Sequence, residues 1–312
     1  MKLVVHLNSI TYIEDFLDMS VEMFVVGADI FSCRQALSLN YQEIYELKEK
    51  INQRAKVYVL VNALVEQEYL LELERHLEKL YELKIDGILF HDFGVLQICK
   101  EKGYTFDMMY TPDTLNTNQA TLSFLKTQGI TSAFLAREIP LVEKQAINTE
   151  VDMPLMIQIH GVEYMAYSKR NLLTNYSKQT NEQLKTTYQD NIMIQANNVE
   201  DACYIYEDQY GSHILTSNQL CCLDVLSNVT EFAYGYIESL YLSDIQLLEV
   251  VYLYKQGLEA VFNNTYGKVS KEIMPLLHQL DNSIKYYHGF LFDQTVYTIK
   301  DVRKREEDEG NK

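Results

Sequence analysis

His160, Glu163, Ser168, Lys169 and Arg170 crowd into the stretch Gln158–Tyr176, directly after the apolar run Leu155–Ile159. That run has the composition of a strand buried on both faces and is expected to end at His160-Gly161. The loops that follow such strands are where α/β proteins place their chemistry. A loop with these residues would suit three kinds of chemistry. Ser168, His160 and Asp92 would make a hydrolytic triad, but the serine lacks a GxSxG elbow, and a triad is recognised by geometry, which spacing does not reveal. A metal site is not expected, because there is no HExxH pair and His91 and His160 are isolated strand-end residues. Arg34, Arg137 and Arg170 would hold a phosphate or other small anion through bidentate contacts, or would pair with carboxylates that brace loops, as the adjacent Arg137 and Glu138 allow.

The elements that position these residues alternate along the chain. Apolar runs expected as strands are Lys2–Leu7, Met23–Ala28, Lys56–Asn62, Gly87–Asp92, Phe106–Thr111, Ala133–Ala136, Leu155–Ile159 and Glu231–Glu238. Between and after them lie amphipathic stretches expected as helices: Thr11–Met19, Tyr41–Gln53, Gln67–Lys84, Val95–Lys102, Asn118–Gln128, Leu141–Ile147 and Ser243–Ala260. In Gln67–Lys84, for example, leucines or tyrosines recur at 69, 70, 73, 77, 80 and 81 with glutamates between them. Doubly buried strands, short connections and a repeat of roughly 25–30 residues argue for an α/β fold of the (β/α)8 TIM-barrel type over an open doubly wound sheet. No glycine-rich dinucleotide turn or phosphate loop is present.

In a barrel, the polar residues after each strand meet at one mouth. Asn8, Arg34, Asn62, His91, Asp92, Asn116, Arg137, Glu138, His160 and Glu238 are the residues so placed. The candidate substrate- or anion-binding set is Arg34, Asn62, Asp92, Asn116, Arg137, Glu138, His160, Ser168 and Arg170. Residues 1–262 are expected to form the barrel, with 172–230 as an insertion between the seventh and eighth strands. Within the insertion, Asn191–Gln195 is a further apolar segment and Cys203–Ser217 reads as a hairpin turning near Gln209–Ser212, a lid or a partner surface over the mouth. Residues 263–300 are expected as an extension packed on the barrel, and the mixed-charge run 301–312 as a disordered tail.

Composition narrows the class. With 312 residues, 47% apolar and 23% charged, the chain has the make-up of a globular protein with a substantial core. Its first residues are too briefly apolar for a signal-peptide core, and no run approaches the ~20 apolar residues of a membrane span, so a cytoplasmic, membrane-free protein is expected. The five cysteines include the adjacent pair Cys221-Cys222 and no CxxC spacing, which fits reduced thiols. A net charge of −17, from 44 acids and 27 bases, disfavours a stand-alone nucleic-acid binder, because phosphate contacts need clustered cations. The 24 tyrosines, with no tryptophan, read mostly as residues at the core boundary rather than stacking platforms.

The segments Phe24-Val-Val-Gly-Ala-Asp29, Phe31-Ser-Cys-Arg34, Val61-Asn62, Asp86-Gly-Ile-Leu89, Leu135-Ala-Arg-Glu138, His160-Gly161, Tyr167-Ser168, Glu207–Leu220 and Gly289-Phe290, in that order, resemble the collagenase-like U-32 peptidase family. The resemblance covers residues 1–262 and the late Gly289-Phe290. It implies RNA hydroxylation before proteolysis, since bacterial members include proteins of prephenate-dependent hydroxylation of the tRNA wobble uridine, of ribosomal RNA hydroxylation and of oxygen-independent ubiquinone hydroxylation. A chain of this length is similar to the smaller partner of a paired system in Gram-positive bacteria, encoded with a longer member.

Members that hold an iron–sulfur cluster carry a cysteine three residues after the His-Gly pair, a Ser-Gly-Arg-Cys element and two more cysteines soon after. Here Tyr164 and Asn171 stand at the first two positions, Lys169 replaces the glycine, and no cysteine lies between Cys99 and Cys203. Cluster ligation needs thiolates, usually four, so the resemblance implies no cofactor in this chain and a cluster in a paralogous partner. The expectation is therefore a cluster-less subunit of a tRNA wobble-uridine 5-hydroxylation complex, reaching tRNA through that complex, with prephenate as a possible ligand. The alternative is a peptidase or other hydrolase, with His160 and Glu163 or Glu238 as acid–base residues.

Overall fold

Strands and helices alternate in the computed structural model, which describes residues 1–195 and 201–293. The order is β1 (Lys2–His6), α1 (Ile13–Asp18), β2 (Met23–Ala28), the two-residue β3 (Ser38–Leu39), α2 (Tyr41–Ile51), β4 (Lys56–Val61), α3 (Leu70–Glu82) and β5 (Gly87–Phe90). Next come α4 (Phe93–Lys102), β6 (Asp107–Tyr110), α5 (Gln119–Thr127), β7 (Ser132–Phe134), α6 (Leu141–Glu150) and β8 (Leu155–Ser168). After these lie α7 (Leu172–Thr180), β9 (Met193–Ile194), β10 (Cys203–Asp208), β11 (Gly211–Cys221), β12 (Tyr234–Ile237), α8 (Asp244–Phe262), α9 (Tyr266–Leu280) and β13 (Tyr286–Tyr287).

Strands β1, β2, β4, β5, β6, β7 and the first part of β8 pair in parallel in that order, and β12 closes the ring by pairing in parallel with both β8 and β1. The expected (β/α)8 barrel is what the chain forms. Alternate strand residues face opposite ways: Val4, Val25, Leu60, Leu89, Met109, Phe134 and Met156 fill the interior, while Leu3, Val5, Phe24, Val59, Ile88 and Ile157 pack under the helices. The helices follow from local signals. Asn40 and Glu43 form a reciprocal cap at the start of α2, as Ser243 and Gln246 do for α8. Along α3 the buried Leu73, His76, Leu77 and Leu80 make one stripe. No helix among the described residues is long and apolar enough to cross a membrane.

One sequence expectation is overturned. The run beginning at Leu155 does not end at His160-Gly161; β8 continues to Ser168, so the stretch that reads as a catalytic loop is strand. Beyond the barrel rim it pairs antiparallel with β11, from Cys221 opposite His160 to Ser212 opposite Ser168. The apolar signal fades there because burial falls off after Glu163, while hydrogen bonding to β11 goes on. Strands β10 and β11 form the expected hairpin and β9 adds two residues to its edge. The face bearing Val162, Tyr206 and Leu215 packs on Leu240 in the loop after β12, beside Ala36, Tyr188, Tyr204 and Tyr241. The hairpin tip is tied to the loop after β2: the Phe31 N–H donates to the Tyr210 hydroxyl, and Gln209 Nε2 donates to the Asp29 carbonyl at 3.1 Å. Helix α9 packs on α8, and β13 joins β11. The tail at 301–312 lies outside the described residues.

Candidate functional site

A narrow pocket opens at the C-terminal ends of the barrel strands, lined by Arg34, Asn62, Asp113, Arg137, Tyr236 and Glu238 above an apolar floor of Leu60, Leu89 and Phe134. Its free volume is about 50 Å³, room for on the order of one or two waters. An organic ligand therefore enters only if the residues above it shift.

Arg34 stands in the loop after β2, where Phe31 (φ 59°) and Arg34 itself (φ 58°) adopt left-handed backbone. Asn62, at the end of β4, fixes this loop: its Oδ1 accepts the Cys33 N–H at 2.9 Å and its amide donates to the Cys33 carbonyl at 3.0 Å. Arg34 Nη2 donates to both oxygens of Asp113, at 3.0 and 3.1 Å, and the guanidinium lies over the Tyr164 ring. His91 Nδ1 is 3.5 Å from Asp113, but burial lowers the His91 pKa despite that carboxylate, so Arg34 is the principal counter-charge.

Arg137, just past β7, is held differently. Its Nε donates to Gln158 Oε1 at 2.9 Å and its guanidinium lies over Phe134, yet among the described residues it forms no ion pair with a carboxylate. Glu138 points into solvent. The Gln158 amide donates in turn to the carbonyls of His160, Gly161 and Val162, at 3.2, 3.3 and 2.8 Å.

Glu238, the residue after β12, closes the pocket. Oε1 is 2.8 Å from His6 Nδ1 and accepts the N–H groups of Ser239 and Leu240 at 2.8 and 3.0 Å; the Tyr236 hydroxyl donates to Oε2 at 3.3 Å. Burial alone would raise its pKa, but His6, the Leu240 N–H and Arg137 together hold it below the ordinary carboxylate value. It is a carboxylate locked in place.

The other sequence candidates are scattered. His160 does not reach the mouth. The register of β8 against β12 slips between the pairs Gln158/Tyr236 and His160/Ile237, an extra residue that turns the imidazole outward to the helix layer. There it packs against Tyr254 of α8 and Tyr286 of β13, and burial lowers its pKa to about 3. Glu163 is buried behind the pocket, its Oε2 accepting from the Tyr287 hydroxyl at 2.6 Å, and burial raises its pKa against that bond. Asp92 caps α4 through the Gly94 N–H and also accepts the Val65 N–H. Asn116 is fully buried, donating to the Phe134 carbonyl at 2.8 Å. Ser168 Oγ accepts the Arg170 N–H at 3.2 Å, and Arg170 is exposed beyond the rim, so the three-arginine anion site reduces to Arg34 and Arg137. Ser168, His160 and Asp92 occupy three different places and form no triad. Sequence reasoning missed Asp113, Gln158, Tyr236, His6 and the buried Lys144. Of these Gln158 carries a signal, a lone amide inside an apolar strand.

The family described as peptidase family U32 matches this chain over residues 8–300. The chain is 27% identical over 292 residues to tRNA hydroxylation protein P2 of Bacillus subtilis (strain 168), an alignment covering 88% of this chain and 92% of that protein. To tRNA hydroxylation protein P of Escherichia coli (strain K12) it is 32% identical over 122 residues, 39% of this chain and 27% of that one. The solved structure of the U32 peptidase Mk0906 overlays 76% of this chain and 92% of its own, with a TM-score of 0.45 and 12% identity.

Proposed function

The chain belongs to peptidase family U32, and from that premise we propose that it serves in RNA hydroxylation, as a subunit of a tRNA wobble-uridine 5-hydroxylation complex. The observation that carries this reading is the near full-length likeness to a protein named for tRNA hydroxylation. The geometry agrees with it better than with proteolysis. A peptidase needs a nucleophile or an activated water beside a base with a suitable pKa. Here His160 is sealed among aromatic rings, Glu163 is engaged by Tyr287, and Glu238 is fixed by His6 and two backbone N–H groups.

The pocket suits a small organic anion, with prephenate the ligand we favour. Arg137 offers a guanidinium with no carboxylate partner among the described residues, and Arg34 would become a second anchor when a ligand carboxylate displaces Asp113. Opening the loop that carries Arg34 makes the required room.

The residues present do not fit an iron–sulfur cluster. Tyr164 places a ring under Arg34, Asn171 begins α7, and no group of three or more His, Cys, Asp or Glu among the described residues is arranged to hold a metal. Cys33, Cys99, Cys221 and Cys222 are buried and their thiols are pushed up by burial, against the thiolate that ligation requires. Redox chemistry in this reading belongs to a cluster-bearing second member of the family. That partner also supplies the positive surface that a chain of net charge −17 lacks, in the cytoplasm where tRNA is found.

The test is nucleoside mass spectrometry of tRNA from a strain deleted for this gene. Loss of 5-hydroxyuridine, restored by the plasmid-borne gene, is expected. An unchanged nucleoside profile in a strain with no second hydroxylation route would remove the reading.

A further inference from the structure

Lys144 projects from α6 into the interior, only 3% exposed and in ion-pair contact with no carboxylate among the described residues. A buried ammonium without a counter-ion is costly, and a leucine or methionine would serve the buried face of α6 better. What the ammonium does instead is donate to two successive main-chain carbonyls, Ala136 and, at 3.3 Å, Arg137. These are the residues where the chain leaves β7, and the second carries the guanidinium that lacks a carboxylate partner. Arg137 borders both the mouth pocket and a small cavity behind it that Lys144 and Glu163 also line.

We propose that Lys144 is a positioning residue for Arg137: it clamps the main chain at 136–137 so that the guanidinium, held at Nε by Gln158, presents its other N–H groups to the mouth. The inference deepens the reading that the mouth receives an anion and rests on it. The charged and titratable groups that act on Lys144 are Glu163 from β8, Arg137 and the solvent-exposed Glu138 from the loop after β7, and Cys222 after β11, with His288 lining the same cavity. Burial lowers the Lys144 pKa to about 8 against the pull of the two glutamates, so the clamp is charge-assisted at neutral pH and weakens as pH rises through that value, where a neutral amine with two weaker N–H donors replaces the ammonium.

The experiment labels arginines of the purified full chain with phenylglyoxal and reads the ratio of Arg137 to Arg34 modification by mass spectrometry. The wild-type ratio is expected to rise several-fold between about pH 7 and about pH 9, following the loss of the Lys144 charge. Lys144→Met is expected to show the high ratio already at neutral pH, with no further rise, and a melting temperature equal to or above wild type, since an uncompensated buried charge has gone. A merely structural lysine would lower the melting temperature and leave the ratio alone. Carried in the deletion strain, Lys144→Met and Arg137→Met are both expected to lower tRNA 5-hydroxyuridine several-fold. A folded Lys144→Met with the wild-type ratio overturns the proposal, and so does a wild-type ratio that is flat with pH, which needs no variant. Full 5-hydroxyuridine with Arg137→Met would instead sink the anion reading of the mouth, while the labelling ratio still decides the clamp.

Discussion

The guanidinium carbon of Arg34 lies 4.6 Å from the centre of the Tyr164 ring. Arg34 comes from the loop after β2 and Tyr164 from the part of β8 that runs beyond the barrel, so the contact joins the barrel mouth to the sheet above it. Asp113 holds the same guanidinium by accepting two hydrogen bonds from Nη2. Tyr164 and Asp113 together thus cradle the arginine at the edge of the mouth pocket.

Removing either half of this cradle should separate function from folding. Tyr164→Ala gives up a cation–π contact and part of its burial, a cost of about 1–2 kcal/mol. Arg34→Ala is expected to lower tRNA 5-hydroxyuridine about tenfold in the complemented deletion strain, with Tyr164→Phe close to wild type because the ring face is retained. Nucleoside mass spectrometry beside thermal melts checks both, and full activity of Arg34→Ala would exclude Arg34 as an anion anchor.

The burial of His160 makes a pH prediction with a definite sign. Its folded pKa, about 3, lies below the ordinary value of 6.5, so the unfolded chain takes up the proton first as pH falls. Its contribution is therefore fully present above about pH 6.5 and is lost on acidification toward about pH 3, at up to about 1.4 kcal/mol per pH unit. His160→Phe keeps the packing on Tyr254 and Tyr286 and removes this acid sensitivity. Urea melts across that range should show a flatter profile for the variant, and 5-hydroxyuridine should persist, which a catalytic imidazole would not permit.

Gly161 follows His160 with φ 96°, and a Cβ there would collide with the backbone carbonyl and Cβ of Glu238. Gly161→Ala therefore meets both a left-handed penalty and a clash at the mouth. A loss of about 2–4 kcal/mol is expected by urea denaturation, together with release of the Gln158 amide from the Gly161 carbonyl. A change of only a few tenths would mean that the turn relaxes freely.

Tyr210 ties the hairpin to the loop carrying Arg34 by accepting the Phe31 N–H. Tyr210→Phe should cost about 1 kcal/mol, concentrated in that loop. Hydrogen exchange is expected to accelerate at residues 29–36 while β4 and β5 stay protected. Uniform acceleration across the barrel would show that the tie stabilises the whole fold rather than the loop.

Much of this architecture was legible in the residue order. Each barrel strand is a short apolar run that announces itself, and each helix carries its own stripe and often its own cap, so the (β/α)8 pattern could be read by local counting. Topology alone then sends the residues after the strands to one mouth, and Arg34, Asn62, Arg137 and Glu238 do meet there. The amide of Gln158 could have been noticed as a lone polar group in an apolar strand.

What local counting could not supply were pairings between distant segments. Leu155–Ser168 reads as strand then loop because its later residues are solvated, and only β11, some fifty residues on, makes them strand. His160 reads as a mouth residue because strand periodicity puts it in line with Gln158; one slipped register against β12 sends it to the helix layer. The sequence by itself thus determined the eight barrel strands, the helices that alternate with them and the polar residues that follow them, because those choices rest on near neighbours, whereas the outer half of β8 and helices α7 and α9 were not legible. Only the tertiary structure decided which of those residues face the pocket, since a single extra residue in a strand reverses the side chains beyond it and its cause lies in a partner far along the chain.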